Sequence, residues 1–169
     1  MTLPAADLIA ILQYQIAALV GMANNLGIQV EYVKPHGALY NDMMVNGLIR
    51  TAVMQAIAET DRPLAFMMQA NGDYETNRSE AKAFGLKVMF EGFADRCYDD
   101  RGALVSRAQM GAVHNREKML AQVTQLMEHG SVTTENGHLM PLHIDSLCVH
   151  GDNLAGVESI ADIRRLIDQ

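Results

Sequence analysis

Three short stretches of the sequence hold residue types that do chemistry together. They are Lys34-Pro35-His36-Gly37-Ala38-Leu39-Tyr40-Asn41, Asp95-Arg96 with Arg107 beyond it, and His150-Gly151-Asp152. Pro35 keeps Lys34 extended and removes a ladder donor, so a strand that reaches it must end there. Alternation then places Lys34 and His36 on one side, a cation beside an imidazole. Arg96 and Arg107 offer guanidinium forks suited to a carboxylate or phosphate. His150 and Asp152 flank a glycine and suit an oriented general base or a cation site. A plainer reading exists for each: a solvated Lys in a turn, an Asp capping a loop, an Asp152 capping the helix near Leu154. Three strand ends that all carry ionisable groups argue for a common cavity.

The elements that must position these groups follow from periodicity. Leu8, Ile9, Leu12, Ile16, Leu19, Val20 and Met22 recur at helical spacing over 4–25, with Gly27 as a stop. The pattern predicts strands at 28–33, 64–68, 86–93 and 146–149, and helices at 42–60, 74–84, 116–128 and 154–167. Asn115 is a natural N-cap, and Asn136-Gly137 marks a tight hairpin between 131–134 and 138–142. The polar stretch 95–109 reads as a loop. Alternating strands and helices predict an α/β fold with a mostly parallel sheet, whose sites lie where strands end.

The chain has 169 residues, 49% hydrophobic and 20% charged, which fits one globular domain over 1–169 and excludes a disordered chain. A formal charge of −7 argues against a nucleic-acid partner. No apolar run reaches the roughly 18 residues of a membrane-spanning helix, so no membrane association is expected. Met1-Thr2-Leu3-Pro4 lacks a basic n-region, so a cytoplasmic location is expected. Cys97 and Cys148 have neither framework nor metal spacing and read as reduced thiols. The 12 methionines read as core filling. His114, His129, His138 and His143 lack a partner pattern and read as structural.

Val33-Lys34-Pro35-His36-Gly37-Ala38-Leu39-Tyr40-Asn41 resembles the signature of the LamB/YcsF family, which includes the A-type component of bacterial 5-oxoprolinase. The resemblance continues through Tyr14-Gln15-Ile16, Phe93-Ala94-Asp95-Arg96 with Tyr98, and Gly102-Ala103-Leu104-Val105. It extends to Arg107, Gln109, Gly111-Ala112 and Cys148-Val149-His150-Gly151-Asp152. It implies a β/α barrel of the glycoside hydrolase/deacetylase type and ATP-driven opening of the 5-oxoproline lactam with 5-oxoprolinase subunits B and C. Lys34, His36, Asp95, His150 and Asp152 fall on motif positions as catalytic candidates. Asn41, Arg96 and Arg107 are candidates for binding substrate. No metal ligand set is assigned, although a divalent cation beside ATP is compatible with the chemistry.

The sequence departs from the family pattern in three ways. Ser106 stands where Pro is usual and Cys97 where Gly is common. The opening Asp-Leu-Asn…Asp-Leu-Gly-Glu strand and the Gly-Phe-His-Ala-Gly-Asp and Gly-Ala-His-Pro segments are missing from a barrel of about 250 residues. The expectation is an incomplete barrel, lacking its first strands, with open sheet edges that favour self-association. No Gly-x-x-x-x-Gly-Lys-Ser/Thr loop occurs, so ATP binds elsewhere or on a partner. Two other functions fit less of the sequence. One is a metal-dependent carbohydrate deacetylase or glycosidase using His36, His150 and Asp152. The other is a non-catalytic component that only docks partners.

Overall fold

The computed structural model describes residues 3–168. They form two compact units, the first reaching to Gln69 and including Glu75–Met89, the second comprising Ala70–Tyr74 and everything from Phe90 onward.

The first unit opens with α1 (Ala5–Asn25), which buries Leu12 and Ile16 one turn apart and packs on α3 (Gly47–Ala58). Gln13 Nε2 donates to Glu59 Oε2 at 2.8 Å across the same pair. By length and composition α1 could cross a membrane, which corrects the expectation that no stretch qualifies. No uninterrupted apolar run reveals it because Gln13, Gln15 and Gly21 break the run without adding charge; Asp7 alone is charged.

Between α1 and α3 lie β1 (Tyr32–Val33) and α2 (Ala38–Val45). The expected single helix over 42–60 is instead two, because Asn46 leaves helical geometry (φ −124°, ψ 105°) and caps α3. Its side-chain oxygen accepts from Leu48 N and Ile49 N at 3.0 and 3.3 Å. An Asn inside an apolar rhythm is invisible to periodicity yet is among the best N-caps. The strand predicted over 28–33 shrinks to its last two residues. Tyr32 and Val33 pair in parallel with Ala65 and Phe66 of β2 (Ala65–Gln69). Helix α4 (Tyr74–Ala83) follows, and Arg50 of α3 donates to Glu80 at 2.7 Å and to the Met43 carbonyl at 2.9 Å.

Strand β3 (Val88–Phe93) begins in the first unit and ends in the second. There it pairs in parallel with β6 (Ser146–Cys148), with Glu91, Gly92 and Phe93 opposite Ser146, Leu147 and Cys148. Between them lie α5 (Arg116–His129) and the hairpin of β4 (Ser131–Thr133) and β5 (Leu139–Pro141). The expected Asn115 cap is present, accepting from Lys118 N at 3.0 Å, and the Asn136-Gly137 hairpin is antiparallel as expected. The last helix is broken into α6 (Leu154–Glu158) and α7 (Ile160–Ile167) at Ser159, whose hydroxyl donates to the Ala155 carbonyl at 2.6 Å. Ala94, Met119, Val123 and Ile163 form the core between α5, α7 and the end of β3.

The expected α/β class with parallel pairing is therefore met, apart from the small antiparallel hairpin. Met43, Met54, Met67, Met68 and Met119 are buried, in keeping with core filling, whereas Met22 and Met110 are exposed.

Candidate functional site

Register explains how two distant residues meet. Phe93 faces Cys148 in the parallel ladder, and Ala94 N–H donates to the Cys148 carbonyl at 3.0 Å. Counting two residues past each partner gives Asp95 and His150. His150 Nδ1 lies 3.0 and 3.1 Å from the Asp95 carboxylate oxygens, and the His150 backbone N–H donates to Asp95 Oδ2 at 3.2 Å. The Asp95 side chain is 1% exposed and that of His150 26%. One face of the imidazole stacks on Phe93, with ring centroids 5.5 Å apart. Its Nε2 has no hydrogen-bond partner among the described residues. A buried carboxylate on Nδ1 with Nε2 left open is the geometry of an oriented general base.

Asp95 also lines a cavity of about 300 Å³ with Arg107, Asp152 and Asn153. The Arg107 guanidinium donates to the Asp152 carboxylate, and this hydrogen bond holds the Asp152 carboxyl below its usual range. Asp152 is thus paired with Arg107, and the helix cap assigned to it in the plainer reading falls to Asn153, whose oxygen accepts from Gly156 N. Of the two carboxylates considered as partners of His150, the structure selects Asp95.

The Arg96 guanidinium serves backbone carbonyls. Arg96 is 7% exposed, and its guanidinium donates to the Val105 carbonyl at 2.6 Å and the Ala112 carbonyl at 3.4 Å. Burial pushes its pKa down, with Arg107 adding to the effect. It staples the loop that delivers Arg107. Two bridges, Arg96 with Val113 and Tyr98 with Leu104, tie the same loop. The buried Tyr98 hydroxyl accepts from Phe93 N at 2.9 Å, and burial raises its pKa.

In the first unit, Pro35 is buried while Lys34 and His36 on either side are exposed, as alternation requires. Both line a groove of about 470 Å³ together with Leu8, Leu12, Ile16 and Leu39. Lys34 Nζ lies 5.6 Å from the Tyr40 ring centroid. Gly37 has φ 63° and ψ −137°, a conformation that L side chains avoid, and it turns the chain into α2. Asn41 sits exposed in the first turn of α2, where Gly37 rather than a side chain occupies the cap position.

Sequence reasoning missed Gln122. It is buried in α5, and its amide nitrogen donates to the carbonyls of Phe93, Ala94 and Arg96 at 2.7, 3.3 and 2.9 Å. The only sequence signal was a polar residue on the apolar face of the helix, between Met119 and Val123. Among the other histidines, His114 faces Gln122 Oε1 at 3.2 Å, His138 contacts Asp100 at 3.1 Å, and His143 stacks on Tyr74 at 5.2 Å. No group of three His, Cys, Asp or Glu among the described residues can hold a metal ion. Neither Cys97 nor Cys148 is in a disulfide.

Parallel strands that end in an acid–histidine pair beside an arginine-lined cavity define an α/β protein with its polar site at the strand ends. The chain belongs to the LamB/YcsF family, whose sequence profile matches residues 1–169. It is 41% identical to the A-type 5-oxoprolinase component of Pseudomonas fluorescens (strain Pf0-1), over 100% of this chain and 68% of the relative. It is 44% identical to the protein of the same name from Chromohalobacter salexigens, over 92% of this chain and 62% of the relative. Its fold is similar to that of the lactam utilization protein from Thermus thermophilus. The TM-score is 0.85 at 26% identity, covering 100% of this chain and 66% of that one. The chain thus spans about two thirds of the length of these relatives.

Proposed function

We propose that the chain carries the proton-transfer and anion-stabilising groups of a 5-oxoprolinase A-type hydrolase. The reaction is the ATP-driven opening of the 5-oxoproline lactam to glutamate, in the cytoplasm, with partner subunits B and C. The scaffold is an incomplete β/α barrel of the glycoside hydrolase/deacetylase type. The observation that carries the proposal is the Asp95–His150 pair at the end of two parallel strands, together with relatives named for that activity.

The chemistry follows from the groups present. His150 Nε2 accepts a proton from water as it attacks the amide carbon, Asp95 stabilises the imidazolium that forms, and the imidazolium returns the proton to the ring nitrogen as the C–N bond breaks. Arg107 supplies positive charge for the oxyanion or for the substrate carboxylate, with Asp152 holding the guanidinium in place. Lys34 and His36 are further candidates for handling negative charge, and Asn41 for substrate contact. ATP enters as co-substrate, and no residue here is assigned to it. Among the described residues no group of three His, Cys, Asp or Glu is placed to hold a resident metal ion, so no step is routed through one.

The test is glutamate and ADP release from 5-oxoproline and ATP by the chain combined with subunits B and C. Wild-type turnover that drops by about 10²-fold or more in His150→Ala supports the reading. Unchanged turnover in that variant removes His150 from the chemistry.

A further inference from the structure

The strand ladder ends at Phe93 and Cys148, so something else must hold the turn that presents Asp95. Three residues of that turn, Phe93, Ala94 and Arg96, turn their carbonyls toward α5. All three accept from the single amide group of Gln122. Three acceptors around one atom identify it as the nitrogen, which fixes the other end as Oε1. That oxygen can only accept, so the His114 nitrogen facing it at 3.2 Å, Nε2, carries the proton. The other ring nitrogen, Nδ1, is buried with no hydrogen-bond partner among the described residues, and burial lowers the His114 pKa, which favours the neutral Nε2–H form. The His114 backbone N–H closes the arrangement by donating to the Asp95 carbonyl at 2.9 Å.

We infer that Gln122 is a positioning residue: through three carbonyls of the Phe93–Arg96 turn, and through His114, it fixes the backbone of Asp95 and thereby the Asp95–His150 pair. This rests on the proposed role of that pair. Gln122 touches neither side chain of the pair and acts only through the main chain that carries one of them. Its place on α5, one turn from the core residues Met119 and Leu126, ties the turn to the rigid packing of that helix.

The ring nitrogens of His150 provide a readout that ordinary loss of stability does not move. Nitrogen-15 shifts of the full chain are expected to show His150 protonated at Nδ1 and bare at Nε2. In Gln122→Met, which keeps length and removes both polar atoms, the His150 signals are expected to move toward the Nε2–H form common in solution. The His150 and His114 backbone amides should exchange on the order of tenfold faster. A folded Gln122→Met whose His150 tautomer and amide exchange match wild type overturns the inference. A second measurement needs no variant: the Gln122 side-chain amide protons of the wild-type chain should exchange far more slowly than those of exposed glutamines, and equal rates overturn the inference. Asp95→Asn separates this inference from the functional reading. Wild-type turnover in Asp95→Asn rejects the proposed chemistry, while the exchange of the Gln122 amide still decides the clamp.

Discussion

The side chains of Asp95 and His150, 55 residues apart in sequence, form a buried-acid and half-buried-imidazole pair held at 3.0 Å by matched offsets on two parallel strands. Replacing Asp95 by Asn keeps the shape and offers a donor where Nδ1–H needs an acceptor, which favours the wrong tautomer. Turnover of the assembled enzyme is expected to fall by about 10²-fold or more, with the fold retained. Steady-state rates and circular dichroism check this; a normal rate with normal structure would discard the pair.

Gly92 sits in β3 opposite Leu147, and a Cβ there would lie 2.8 Å from Ile144 Cγ2. Ile is β-branched and stiff at its first torsion, so this atom cannot swing away. Gly92→Ala is expected to destabilise the chain by about 1–3 kcal/mol. Adding Ile144→Ala should return part of that loss. Denaturant unfolding of the single and double variants tests it, and simple additivity would show the clash is relieved elsewhere.

Arg96 is predicted to act on stability through its loop. Arg96→Met leaves the Val105 and Ala112 carbonyls without their donor in a buried setting. The expected loss is about 1–3 kcal/mol. Proteolysis within 99–112 should appear before global unfolding; an unchanged melting temperature and cleavage pattern would argue against the staple.

The Arg107–Asp152 pair predicts a pH effect of known sign. Asp152 has its folded pKa depressed, first by the hydrogen bond from Arg107. A depressed acid contributes stability above its unfolded value, and that contribution fades as pH falls through the folded value. Both side chains are substantially exposed, so the effect is visible by titration rather than by melting. In an NMR titration the Asp152 midpoint should lie below the ordinary value of about 3.9. Arg107→Gln should raise it, and identical midpoints would break the assignment.

Helix α1 predicts self-association. Ile11, Tyr14, Leu19, Met22 and Leu26 are exposed on or just past a helix with one charged residue, an apolar face of the kind that marks an interaction surface. Size-exclusion is expected to show species larger than 18.6 kDa. Leu19→Glu with Met22→Lys should shift them toward the monomer. A wild-type chain that stays monomeric at high concentration would contradict this.

Much of this protein was legible in its sequence because local physics is local. Helical and strand periods, Pro35, Gly37, the Asn115 cap and the Asn136-Gly137 turn act within a few residues, so the elements and their order could be read directly. So could the rule that ionisable groups after strand ends deserve scrutiny, which brought out Asp95, Arg107, His150 and Asp152. The breaks at Asn46 and Ser159 escaped because a polar residue that caps or bends a helix looks like one on a solvated face.

Partner choice belonged to the tertiary structure. Whether His150 pairs with Asp152 or Asp95 depends on the register of β3 against β6, set by side chains far from either residue. That Arg96 serves carbonyls while Arg107 faces a cavity depends on which way a loop closes. Gln122 acquires its meaning only when α5 packs under the end of β3, because a hydrogen-bond donor is defined by the acceptors that folding brings to it.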